Sequence, residues 1–417
     1  MTGVYYTAIC VLLATGLAFY CSGQTKTKSI VFLCISLVLL AGISAMRYEV
    51  GDDYYNYMNI FLTVRGLTLS DCFSYQQEPG FFLLIKLVLL FTDHFQWFYA
   101  FVAVLTTALV LLFIYRESRL PFLSVVLYMT MLFYYWSLSL IRQALAAAIC
   151  TLGIRYIKSR RFLPYLLLVA AASSIHLSAL IMLPVYLVAQ IPFHYKSFIA
   201  VCGVATVAFV AAPAILSFIT QYVYRGYSPD SRFGQGSSIL YGIFPSIIFA
   251  VVWCFKRKLL LQSKDNNVSI NFMLYAAIIS LFIVRIYIVE RLAIYFFLPA
   301  IVLVPNMLVT LLPNEQQLAA YKVARNKLRL LKGEAKKRQR KKLQEKSSQI
   351  KDARMLFGFA VGCTVTITLL YHLFAFSQGF YGVQNYQTIF NKHPTKKFQA
   401  SRELYRDYLS EIEYPTQ

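Results

Sequence analysis

The sequence predicts an all-α polytopic integral membrane protein, and three observations carry that reading. Of the 417 residues, 59% are hydrophobic and only 14% are charged, a balance foreign to ordinary soluble domains. Nine apolar runs are each about as long as a helix that crosses a bilayer core, which takes roughly 20 residues. The Lys and Arg residues gather in alternate connecting segments, the pattern that orients a chain in a membrane.

The nine runs lie at 4–21, 29–46, 97–114, 120–138, 197–219, 239–255, 270–288, 292–312 and 355–376. Residues 140–157 and 162–191 are also apolar but are interrupted by Arg142, Pro164 and His176, so they read as three shorter spans and bring the total to about twelve. The run 79–91 has 13 residues and contains Lys86. It is too short to cross and reads as a re-entrant or interfacial helix on the outer face.

Orientation follows from the basic segments 24–28, 115–119, 155–161, 256–258 and 313–354, which share the cytoplasmic side only if the N-terminus is outside. No basic residue precedes the first apolar run, so no cleaved signal peptide is expected. Residues 1–312 then form a transmembrane catalytic region with outer loops at 47–78 and 220–238. The segment 313–354 is a basic cytoplasmic helical loop, 355–376 is the last transmembrane helix, and 377–417 is a polar tail outside.

The basic loop has fourteen Lys or Arg against four acids, nearly half of the formal net charge of +22. In a membrane chain such a run reads as a helix lying on anionic headgroups. Membrane lipids are therefore the expected partner, and nucleic acid is not. Of the eight cysteines, seven lie in apolar runs and Cys72 falls in an outer loop, so no disulfide framework is expected.

Ionisable residues at membrane depth are costly, and each is a candidate for function. Arg47, Glu49, Asp52, Asp53, Glu78, Arg142, His176, Arg285, Glu290 and Arg291 all fall near the outer ends of their spans. This convergence predicts an active-site cavity on the outer face. Arginine forks match phosphate oxygens, so Arg47, Arg142, Arg285 and Arg291 are the candidate pyrophosphate ligands. Tyr54 and Tyr57, with Tyr224, Arg225, Tyr227 and Arg232 of the later loop and Tyr295, offer faces and hydrogen-bonding groups to sugars, although any single tyrosine also suits an interfacial aromatic belt. Asp52, Asp53, Glu78 and His176 are the candidate bases. Asp52, Asp53 and Glu78 also suit helix N-termini. No metal and no cofactor are expected, because the cluster is richer in arginines than in oxygen ligands.

The stretches "RYEVGDDYYNY", "EPGFFLL", "IRQALAAAI", "SIHLSALIMLP" and "ERLAIYFF", in this order over about 30–312, resemble the EpsG family, which belongs among the Wzy-type polymerases of O-antigen, capsule and exopolysaccharide. Its Arg–Gly–Asp–Tyr pattern matches Arg47, Gly51, Asp52 or Asp53, and Tyr57. Its Arg–Gln and His–Ser elements match Arg142, Gln143, His176 and Ser178, and its Arg–Tyr–Phe element matches Arg291, Tyr295 and Phe296. The basic loop at 313–354 is no part of that pattern.

The resemblance implies a membrane glycosyltransferase of the bacterial cytoplasmic (inner) membrane. It would transfer a growing glycan from undecaprenyl pyrophosphate to a lipid-linked repeat unit on the outer face. The implied partners are the undecaprenyl-pyrophosphate-linked oligosaccharide and a chain-length regulator. The competing expectations are a transporter or flippase of lipid-linked saccharides, and a related ligase or acyltransferase. A transporter places its site near the midplane between inverted repeats, whereas here the charges crowd one face and no repeat is visible.

Overall fold

The computed structural model describes residues 2–23, 25–74, 78–214, 217, 239–286, 289–392 and 398–405. Among them the chain is helical, with only isolated bridges pairing Arg47 with Thr388 and Thr388 with Asn391. Five helical stretches are long and apolar enough to cross a membrane: Gly3–Cys21, Lys26–Ala45, Phe95–Glu117, Glu290–Val309 and Gly333–Ser377. A sixth is the pair Pro121–Thr130 and Phe133–Ser139, bent by 53°. The other expected spans coincide with shorter helices or, for Ile239–Gln262, with a 24-residue helix carrying Pro245 inside it.

Local signals set the element boundaries. The Thr25 hydroxyl accepts from the Lys28 N–H at 3.2 Å and starts the Lys26–Ala45 helix. His94 Nδ1 accepts from the Gln96 N–H at 3.1 Å and does the same for Phe95–Glu117. Pro79 and Pro121 occupy first turns, where a missing N–H costs nothing. The expected run 120–138 breaks at Leu132, which takes a left-handed φ of 74°. Both of its halves are buried on all sides, as befits a central helix apolar all round. The run 162–191 breaks at His176, which is extended at φ −152° and ψ 116°.

Around this centre, Lys26–Ala45 packs on Phe95–Glu117, Phe162–Ile175 on Ile141–Lys158, and Asn266–Phe282 on Ile239–Gln262. Large apolar side chains stay on the outside, among them Val38 at 76% and Phe359 at 70% exposure. Surfaces of this kind suit lipid rather than water.

Hydrogen bonds sort the helix ends into two groups. At one end, Tyr134 Oη donates to the Leu40 carbonyl, the Asp52 N–H to Ser139 Oγ, and Tyr381 Oη to Glu290. At the other, Lys158 meets Glu117 at 2.6 Å, and Asn306 donates to the Glu117 carbonyl. Asn267 there accepts from the Phe193 N–H.

Two segments differ from their sequence pictures. The basic stretch is not a separate loop throughout: after Glu315–Leu330, the Gly333–Ser377 helix runs unbroken for 45 residues from "GEAKKRQRKK" into the last apolar run. Cys72, expected in an outer loop as a thiol open to reagents, lies on the Leu69–Ser74 helix at 0% exposure, packed with Phe81, Phe82 and Ile85 in one apolar cluster. Its thiol is therefore shielded on whichever side of a membrane it lies.

Orientation is better probed at Ser263 and Ser377, both exposed and at opposite ends of the bundle. In a cysteine-free background, an impermeant thiol reagent applied to spheroplasts is expected to label Ser377→Cys and to spare Ser263→Cys. The reverse pattern would invert the orientation drawn from the basic segments.

Candidate functional site

Glu78 is the residue on which the charged cluster closes. It stands immediately before the Pro79–Leu89 helix, and the next turn is held close to the Phe162–Ile175 helix by Gly80. A Cβ there would lie 2.2 Å from Ser174 Oγ and 2.9 Å from the Ser174 carbonyl carbon, so only glycine permits the approach. That approach sets Glu78 against the break at His176. One carboxylate oxygen meets His176 Nδ1 at 3.0 Å and accepts the Leu177 N–H at 3.2 Å. The other accepts from an Arg142 guanidinium nitrogen at 2.8 Å.

All three side chains are about one-fifth exposed. Burial raises the Glu78 pKa, but the His176 bond, the Arg142 charge and backbone N–H groups outweigh it and hold the carboxyl down at about 2.

Arg142 extends the cluster. It lies at the start of Ile141–Lys158 with its guanidinium 5.6 Å from the Phe81 ring centre and 5.9 Å from that of Tyr57, within cation–π range. The Tyr57 hydroxyl has its pKa raised by burial, and the charges of Arg142, Asp53 and Arg291 all act on it. The charges of Asp53, Arg142 and Arg291, from three separate segments, thus bear on one phenol. The neighbouring Gln143 donates through Nε2 to the Arg291 carbonyl, and Ser178 Oγ shares a 2.9 Å hydrogen bond with Tyr295 Oη.

The acidic loop is fixed by its backbone. Gly51 has φ 97°, and a Cβ there would sit 2.6 Å from the Leu138 carbonyl oxygen, so the glycine lets the loop lie directly on the central helix pair. The Asp52 N–H is shared between Ser139 Oγ at 3.0 Å and the Tyr381 carbonyl at 3.1 Å. Asp52 and Asp53 remain half-buried.

Other expected site residues go elsewhere. Arg47 is 1% exposed, donates to the Ser44 hydroxyl at 2.7 Å, and stacks 4.1 Å from the Tyr99 ring centre. Tyr54 is buried and stacked on the same Tyr99. Arg285 is exposed and donates to the Phe209 carbonyl at 3.0 Å. Tyr224, Arg225, Tyr227, Arg232 and the rest of the 220–238 loop lie outside the described residues.

Sequence reading missed the tail. Residues 379–392 and 398–405 fold back over the acidic segment: the Tyr48 N–H donates to the Gln387 carbonyl, and the Ile389 N–H to the Met46 carbonyl. Arg402 binds both oxygens of Glu49 at 2.7 and 2.9 Å, and Tyr55 Oη donates to the same carboxylate at 2.7 Å. Tyr381 Oη donates to Glu290 at 3.1 Å. Glu290 borders a cavity of about 20 Å³ that Tyr241, Tyr371 and Trp136 also line, room for about one water. The mixture of aromatics and basic residues in 380–405 was the available signal.

A family model described as the EpsG family matches residues 30–323. The match contains Glu78, Arg142, His176, Arg291 and Tyr57 and leaves the folded-back tail outside. No curated protein and no solved structure matches the chain.

The lowered Glu78 pKa has a sign that can be tested. A carboxylate whose pKa is depressed by folding stabilises the fold fully above its ordinary pKa of about 4.5, and that contribution is lost as pH falls toward about 2. Glu78→Gln in detergent is therefore expected to melt below the wild type at pH 7, by an amount on the order of 2–3 kcal/mol. The gap should narrow as pH falls from 4.5 toward 2. A gap constant across that window would mean that Glu78 is not held as a partnered carboxylate.

Proposed function

The chain belongs to the EpsG family, and on that footing we propose that it polymerises a saccharide, moving a growing glycan from undecaprenyl pyrophosphate onto a lipid-linked repeat unit. The observation that carries this reading is the Glu78 carboxylate held between Arg142 and His176, with Arg291 and Asp53 close by.

In the reaction proposed, the acceptor hydroxyl attacks the anomeric carbon of the donor sugar. The bond from that carbon to the pyrophosphate oxygen breaks, and its electron pair leaves with the lipid carrier. The acceptor proton must go to a base, and the charge developing on the leaving oxygen must be met. Arg142 and Arg291 suit the second task, because a guanidinium is always charged and matches phosphate geometry.

His176 is the base we assign. Its Nδ1 faces Glu78, which fixes the ring and leaves Nε2 for the acceptor, following the logic of other carboxylate–histidine pairs. Glu78 itself, held down at about 2, is a weak base at neutral pH, so we give it the role of orienting His176 and Arg142. Asp52 and Asp53 remain second candidates for the base, and Tyr57 and Tyr295 candidates for contact with the glycan.

The wider setting in this reading is a twelve-pass protein of the bacterial inner membrane with its site facing outward. Taking the bent, broken and short helices each as a pass, with Pro79–Leu89 left as the re-entrant helix, yields that number. The helix ends grouped with Glu78 are those that the basic segments assign to the outside.

Lysine keeps the charge of arginine but loses the fork. Arg142→Lys and Arg291→Lys are each expected to lower polymer formation about tenfold or more at normal membrane abundance, with single repeat units accumulating. His176→Ala should slow transfer while binding of the lipid carrier is kept. Normal polymer ladders from both lysine variants would remove the arginines from the mechanism. Activity of the purified protein on lipid-linked repeats is also expected to persist in excess chelator, and a need for added magnesium or manganese would instead assign Asp52 and Asp53 to a metal.

A further inference from the structure

At the end of the bundle away from Glu78, a second polar cleft of about 510 Å³ opens between four helices, within the range of roughly 300–1,000 Å³ typical of small-ligand sites. Arg116, Arg155, Lys158 and Arg161 line it, with Glu117 and Asp265 as the lining carboxylates. It is distinct from the candidate polymerase site, since Arg142 and Lys158 stand near opposite ends of one helix, roughly 24 Å apart at 1.5 Å per residue.

Part of this charge has an ordinary explanation. Arg116, Arg155 and Lys158 lie in the last turns of their helices, where cations oppose the negative end of the helix dipole, and Lys158 is paired with Glu117 at 2.6 Å. Arg161 has no such explanation. It occupies the N-cap of Phe162–Ile175 and makes no side-chain cap bond, at the end of a helix where positive charge is unfavourable.

The turn that brings it there is itself costly. Arg160 takes a left-handed φ of 54°, at a position after a helix where glycine is usual, and the Arg161 N–H closes the turn onto the Tyr156 carbonyl at 2.8 Å. Orientation by positive charge requires basic residues somewhere on this side. It does not require them to converge on one cleft in which, once Lys158 and Glu117 are paired, Arg116, Arg155 and Arg161 face Asp265 as the lining carboxylate left.

We propose that this cleft is a phosphate-binding site, taking the phosphate group of an anionic lipid headgroup or of a soluble phosphate. A phosphate offers the negative charge and the oxygens that three guanidinium groups can share. This inference is independent of the polymerase reading.

The test uses the full chain in neutral detergent, with retained lipid read by native mass spectrometry and folding by thermal melting. Phosphatidylglycerol is expected to be retained in preference to phosphatidylcholine. The double variant Arg155→Gln with Arg161→Gln should weaken that retention about tenfold, the scale of losing two charge-assisted contacts. A control variant with Lys26→Gln and Arg257→Gln removes the same number of charges from exposed positions that do not line the cleft and should leave retention unchanged. Excess inorganic phosphate separates the two sources: displacement of the lipid identifies the phosphate group alone as sufficient, and failure to displace it identifies the lipid headgroup. An equal loss in the control variant would reduce the effect to diffuse charge and overturn the site. So would equal retention of both lipids without any melting shift in phosphate.

Discussion

The arrangement depends on one carboxylate shared by an arginine and a histidine. A charged group removed from water must find a counter-charge and enough hydrogen bonds to replace its hydration. Glu78 accepts from Arg142, His176 and the Leu177 N–H, and in doing so ties three segments far apart in sequence to one point. The Pro79–Leu89 helix, the start of Ile141–Lys158 and the break after Phe162–Ile175 all meet there. Removing the carboxylate would leave an arginine half-buried and unneutralised, which is why one short helix decides how two longer ones are joined.

The breaks in the helices obey the same constraint. Backbone that leaves helical geometry at membrane depth must be covered by protein or water. The bend at Leu132, the extended residue at His176 and the turn through 283–286 before Glu290 all lie toward the end of the bundle that holds Glu78. The Pro121–Thr130 and Phe133–Ser139 pair, buried all round, is the platform on which they rest. Its Ser139 hydroxyl accepts the Asp52 N–H, and its Leu138 carbonyl faces Gly51. One serine hydroxyl and the missing Gly51 side chain thus seat the acidic loop on this buried pair.

Much of the fold class and part of the candidate charged cluster were legible in the sequence for a simple reason. Apolar length reports a span wherever the helix is continuous, and the cost of a buried charge marks Glu78, Arg142 and His176 without any structure. Pairing was not legible. Nothing in the one-dimensional pattern distinguishes Arg142, which meets Glu78, from Arg47, which is sealed under Tyr99 and Ser44, or from Arg285 on the Phe209 carbonyl. These differences arise from which faces the helices turn toward each other. Breaks within apolar runs were hidden likewise, because Leu132 carries no mark of the left-handed backbone it adopts.

The tail shows how residues beyond the matched region bear on those within it. Arg402 neutralises Glu49, a carboxylate whose side chain is fully buried, and Glu49 itself takes a positive φ of 49°, a conformation that a non-glycine residue holds only when its surroundings insist. Tyr381, also at positive φ, spends its carbonyl on the Asp52 N–H and its hydroxyl on Glu290. The tail therefore supplies the missing partners for three acidic positions of the 47–53 and 290 segments, and the aromatic contacts of Phe398 and Tyr405 with Tyr55 hold it in place. With Glu49 bound by Arg402 and Tyr55, and Glu290 by Tyr381, the tail fixes the carboxylates that flank the acidic loop and so helps to hold the loop's own backbone in place.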